Sequence, residues 1–211
     1  MNLRSQVSAV PLIFNSINPL LDPLVQLAMQ SGASKAAIIS TDDISTEERL
    51  ATLCKEPQCK NYGLSLSCPP HVSGPAGLRK FLNNKTHAIV IRIDLLSSIL
   101  FSEQRREVMQ LLHEIVAGVE QSAVSMGYKN SQAFAGSSCK EIFCYEHAAC
   151  QIISNNGKCR YPQSARPSMS GYGINVSKLM AAAGWSVEMN IQKDKTDEES
   201  MSWVAGLVII G

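Results

Sequence analysis

The chain has 211 residues, with 19 Lys and Arg against 18 Asp and Glu and a formal charge of +1. Hydrophobic residues make up 45% and charged residues 18%, which excludes a disordered chain and leaves enough apolar material for one sizeable domain. The balanced charge argues against nucleic acid, which needs clustered Lys and Arg, and no basic stretch flanks an apolar helix to suggest a membrane surface.

The first residues, Met1 to Ser5, carry one basic side chain and no apolar run of the signal-peptide kind, and no window approaches the roughly 18 apolar residues of a spanning helix. A cytoplasmic protein is therefore expected. Asn18-Pro19 has the form of a cap followed by proline at the first helical position, with Leu20, Leu24 and Leu27 at helical spacing and Gly32 at the end. Lys35 to Ser40 reads as a short buried strand. Ser45 to Glu48 has the spacing of a capping box and opens a short helix toward Cys54.

Residues 54–77 are rich in Cys, Pro and Gly and form an irregular loop. Leu78 to Asn83 reads as a helix and Ala88 to Ile93 as a buried strand. Glu103 to Met126 carries a helical stripe of Val108, Leu111, Leu112, Ile115, Val119 and Ala123, closed by Gly127. Ser131 to Ala135 is a short strand candidate, and residues 136–173 form a second irregular loop. Asn175 to Ala183 is a helix ended by Gly184. Trp185, Val187, Met189 and Ile191 alternate with polar residues as a half-buried strand does, and Trp203 to Ile210 returns as its antiparallel hairpin partner. The order predicts one α/β domain over residues 1–211, with a central mixed sheet flanked by helices and two cysteine-rich loops as insertions.

All seven cysteines fall in those two loops. An odd number cannot pair fully within one chain, and a reducing compartment disfavours disulfides. Metal or cluster ligation is the reading that remains. The second set, Cys139-x4-Cys144-x5-Cys150-x8-Cys159, supplies four thiolates. Its wide, unequal gaps suit a 4Fe-4S cluster better than the short paired knuckles of structural zinc, although zinc remains the alternative. The first set, Cys54-x4-Cys59-x8-Cys68, supplies only three. His71 is a candidate fourth ligand; the other possibility is an open position that makes the metal a Lewis acid. A single assembly built on all seven thiolates is a third possibility. Arg160 and Arg166 flank Cys159 and can offset cluster charge, with loop pinning by Arg166 as the alternative. Tyr62-Gly63 forms a turn aiming Cys59 and Cys68 at one point. His147 is treated like His71, and His113 is expected to be structural.

Leu53-Cys54-x4-Cys59-x2-Tyr62-Gly63-x4-Cys68-Pro69-Pro70 resembles the N-terminal signature of an uncharacterised prokaryotic family of predicted metal-binding proteins. Cys159-Arg160-Tyr161-Pro162, Ala165-Arg166-Pro167-Ser168-Met169 and Gly173-Ile174-Asn175-Val176 resemble its C-terminal signature. The likeness spans residues 45–185, with Ser170 standing where the family tends to carry an acidic residue. It implies a protein of anaerobic bacteria and archaea, in keeping with iron–sulfur chemistry. The expectation is thus a cytoplasmic iron–sulfur protein with one or two 4Fe-4S clusters. It would act in electron transfer, or in a redox or Lewis-acid step, with a partner protein. The alternative is a zinc-stabilised structural or binding module.

Overall fold

Four runs rich in Ile, Val and Ala pair into one sheet in the computed structural model, which describes residues 18–188 and 200–211. The elements begin with α1 (Asp22–Gln30), β1 (Lys35–Ser40), α2 (Glu48–Thr52), α3 (Gly74–Leu82), β2 (His87–Leu96) and α4 (Ser97–Leu100). They continue with α5 (Arg105–Ser125), β3 (Gln132–Phe134), α6 (Cys139–Ile142), α7 (Gln151–Asn155), α8 (Val176–Ala182) and β4 (Met201–Ile210). The α/β class follows as expected. Among the described residues no helix is long and apolar enough to cross a membrane.

The strand order is β1-β2-β4-β3. Its registers run from Lys35 opposite Arg92, from His87 opposite Ile210, and from Gln132 opposite Ile209. All three pairings are antiparallel, not mixed. Among the described residues parallel pairing is confined to the lone bridge between Ala135 and Ser168. Alternating helix and strand signals suggest parallel crossovers, but they do not encode direction; here β4 returns beside β2 only after α5 and the second cysteine loop. The expected terminal hairpin lies partly outside the described residues: Trp185–Glu188 form no strand, residues 189–191 are outside the described ones, and β4 pairs with β2 and β3.

Because strand side chains alternate, the two sheet faces carry separate cores. Ile89, Ile91, Ile93, Val204 and Val208 face one core, with Leu112, Val116 and Val119 of α5 and Leu24 of α1. Ala88, Val90, Ala205, Leu207 and Ile209 face the other, with Leu78 of α3 and Leu179 and Met180 of α8. Gly206 permits this close approach: a Cβ there would stand 2.4 Å from Val116 Cγ1.

Local signals are only partly realised. Asn18 caps a 3-10 turn at Pro19–Leu21 by accepting from the Leu20 N–H at 3.1 Å, and α1 follows. The capping box does not form. Glu47 is the cap of α2 without a side-chain bond, while Glu48 pairs with Arg79 and Ser45 Oγ accepts from Lys178.

Candidate metal centres

α2 delivers the chain to Cys54, and the first loop then folds on its own backbone. The Cys59 N–H donates to the Cys54 carbonyl at 3.0 Å, the Tyr62 N–H to Cys59 at 2.9 Å, and the Gly63 N–H to Pro69 at 2.8 Å. Gly63, at φ +76°, makes the turn expected of Tyr62-Gly63. Cys54, Cys59, Cys68 and Tyr62 line one cavity of about 710 Å³. Burial pushes the Cys54 thiol up, and the charges of Cys59 and Cys68 add to the rise, because thiolates this close resist joint ionisation. A bound cation removes that penalty.

The second loop places its thiols in two short helices and the chain after them. Cys139 opens α6, Cys144 follows it, and Cys150 is the cap of α7. These three, with Cys159, line a single small cavity of about 20 Å³, alongside Phe143, Ile152 and Ala165. Burial pushes the Cys139 thiol up to about 11, against the pull of the Ser67 and Ser65 hydroxyls; neighbouring Cys68 and Cys159 raise it further. Cys150 is held lower than an ordinary thiol. Burial acts upward there, but the backbone N–H groups of Ile153, Leu66 and Ile152, and then Arg160, outweigh it. The Tyr161 N–H donates to Cys159 Sγ at 3.4 Å. Such donors stabilise thiolates and tune thiolate-ligated clusters.

One clamp holds both ends of this loop. His113 of α5 is fully buried; its Nε2–H donates to the Gly136 carbonyl at 3.1 Å and its Nδ1 accepts from the Arg166 N–H at 3.2 Å. Burial, with the nearby Arg166 charge, lowers its pKa to about 4, so the ring is neutral. The Arg166 guanidinium meets Glu120 at 2.5 Å and donates to the carbonyls of Pro162 and Ala165 at 3.2 and 2.9 Å. Glu120 also accepts from the Ala133 N–H at 2.6 Å, tying the loop to β3.

The two loops meet. Ser65 Oγ lies 2.9 Å from Ser67 Oγ and 3.2 Å from Ser138 Oγ, forming a buried hydroxyl cluster between Cys68 and Cys139. The Cys139 N–H donates to Ser67 Oγ at 3.4 Å, and the Ser168 N–H to the Ser67 carbonyl at 2.9 Å. Glu141 of α6 accepts from Lys60 at 2.7 Å, Asn61 at 2.9 Å and Arg105 at 3.4 Å. Those partners hold its carboxyl below the ordinary value even though burial, the largest influence, acts upward.

The structure therefore brings each cysteine set to a shared cavity and sets the two cavities side by side. Arg160 faces the four-thiol cavity and donates to the Ala149 carbonyl at 3.3 Å. Arg166 takes up the pinning role, directed at Glu120 and loop carbonyls. His71 is exposed, with Nε2 at 3.3 Å from the Gly63 carbonyl, and does not line the three-thiol cavity; His147 is exposed as well. Among the described residues, no three or more His, Cys, Asp or Glu side chains close on one ion-sized point. The fit to a metal thus rests on the donor set and the shared cavities. Lys60, Arg105, Glu141 and the serine cluster lay outside the sequence reading. Proximity of Lys60 and Asn61 to Cys59 is the one signal that could have flagged part of this group.

A family model described as predicted metal-binding protein (DUF2284) matches residues 37–209. The chain belongs to this family. The match takes in both cysteine loops, so metal binding is the property that the family description assigns to the region just described. No curated protein and no solved structure matches at a significant level.

Proposed function

We propose that this family member is an iron–sulfur protein. Cys139, Cys144, Cys150 and Cys159 would hold a 4Fe-4S cluster, and Cys54, Cys59 and Cys68 a second centre with one coordination position open. The observation that carries this reading is the contrast in surroundings. Four thiols share a small cavity whose Cys150 and Cys159 accept backbone N–H groups, whereas three thiols face a wide cavity to which, among the described residues, no further Cys and no His contributes, and whose one carboxylate, Glu141, is already held by its own partners.

Bound clusters would supply one-electron chemistry, and an iron with an open position would supply Lewis acidity. The chain's own residues do the rest. The neutral His113 and the Arg166–Glu120 pair fix the loop that carries four donors. Phe143, Ile152 and Ala165 give it apolar surface, and Arg160 offsets thiolate charge. The serine cluster lies between Cys68 and Cys139, and the contact of the two loops there supports exchange of an electron between the two donor sets. Function with a cytoplasmic partner protein that gives or takes that electron completes the proposal.

Iron, zinc and acid-labile sulfide in anaerobically purified protein test it. Two 4Fe-4S clusters require about eight irons and eight sulfides per chain. Zinc without sulfide would replace the proposal with a structural zinc module.

A further inference from the structure

The cavity before Cys54, Cys59 and Cys68 is far larger than completion of a coordination sphere needs. Its volume of about 710 Å³ falls within the range of small-molecule sites. Its walls divide by chemistry. Leu50, Leu53, Ile174 and Val176 supply carbon surface. Arg49, Lys60 and Arg105 supply positive charge against the single carboxylate of Glu141, a surplus of two positive charges.

Neighbouring acids do not cancel that surplus. Glu47, which pairs with Arg49 at 2.6 Å, is shared with Lys178 at 3.5 Å. Glu141 is shared by Lys60 at 2.7 Å and Arg105 at 3.4 Å, both directed at its Oε1. Two cations thus converge on one oxygen, and the Arg105 guanidinium is held only by long contacts, to Glu141 at 3.4 Å and to Ser137 Oγ at 3.5 Å, which a better acceptor can replace. A planar guanidinium beside an ammonium is a recognition element for carboxylate or phosphate.

We infer that this cavity binds a small organic anion. Its charged group sits against Arg105 and Lys60, and its carbon skeleton lies along Leu50, Leu53 and Ile174. Bound there, the molecule shares the cavity with the three thiols, which makes it the ligand or substrate of the open position. That last step rests on the proposed iron–sulfur reading; the anion site rests on the lining charges alone.

Titration calorimetry on the anaerobically purified protein, with iron measured in each sample, tests the inference. The probes are succinate, glycerol 3-phosphate and inorganic phosphate. At least one organic anion should bind about tenfold or more tighter than inorganic phosphate. Arg105→Gln should weaken that binding by about tenfold or more with iron content and melting temperature unchanged, and Lys60→Gln should do so to a lesser degree. Preference for succinate would assign a carboxylate, and preference for glycerol 3-phosphate a phosphate ester. Binding of neither, equal binding of inorganic phosphate, or unchanged affinity in both variants would overturn the inference. Binding by protein that holds zinc would keep the anion site and sink the iron–sulfur reading. Full iron content without binding would do the reverse.

Discussion

The two cysteine loops meet across one serine cluster, yet they surround their thiols in opposite ways. The second loop offers four thiols, about 20 Å³ of space, walls that include Phe143, Ile152 and Ala165, and a clamp of buried His113 and Arg166 on Glu120. The first offers three thiols, about 710 Å³, a cationic rim, and polar partners that are largely exposed. A saturated, enclosed set of donors suits a centre that holds an electron and touches nothing else. An incomplete set beside an open cavity suits a centre that meets a ligand. On the proposed reading, the difference would divide equal cysteine chemistry between two roles by what the rest of the fold places around it.

The largest effect should come from removing donors. Cys144→Ser with Cys150→Ser should eliminate about half of the iron and sulfide, and Cys59→Ser should eliminate the other half. Metal analysis of both variants checks this directly. Loss of all iron from either variant would break the comparison, because it would mean that the seven thiols serve a single assembly.

Next comes the clamp. Arg166→Met leaves the partly buried Glu120 without its guanidinium, at a cost of about 3 kcal/mol. Denaturant unfolding should show that loss, and iron analysis should show depletion of the four-thiol centre with the three-thiol centre retained. Equal depletion of both would mean that the frame is common to the two loops.

A pH series sharpens the same point. The buried His113 has its pKa lowered to about 4 from 6.5, so the unfolded chain takes up this proton first as pH falls. Stability from the neutral ring is complete above about pH 6.5, declines below it, and levels off near pH 4. The full decline is about 3 kcal/mol. His113→Gln should flatten the unfolding free energy in that window relative to the parent chain. A parent and variant with parallel pH profiles would remove His113 from the clamp.

Much of this was legible in the sequence. The stripe over Leu112, Ile115, Val119 and Ala123 gave α5 because a long helix repeats its apolar period many times. The continuous run of residues 88–93 gave β2 because both of its faces are buried. Strand direction was not legible, since the pairing of β2 with β4 joins segments more than a hundred residues apart. The cysteines declared themselves by grouping. Glu141 and Ser67 did not, because their importance arises only when the two loops close on each other. Arg166 was visible as a charge beside Cys159, but its direction is set by Glu120, a residue on a distant helix.

The smallest predicted effect lies on the open side. Asn175 caps α8 by accepting from the Lys178 N–H at 3.1 Å, and its Nδ2 donates to Glu47 at 2.6 Å. That amide is the main influence holding the Glu47 carboxyl below its ordinary value. Asn175→Ala removes one helix cap at a cost of about 1 kcal/mol and lets the Glu47 pKa rise toward the usual carboxylate range. Calorimetric melting should therefore fall by only a few degrees, with iron content unchanged, because the cationic partners at this rim, Arg49 and Lys178, are exposed and replaceable by water. Carboxyl titration followed by NMR should register the Glu47 change. If Asn175→Ala instead cost as much as Arg166→Met, the open rim would be built as rigidly as the closed clamp. The contrast between a sealed centre and a ligand-facing one would then have no mechanical basis.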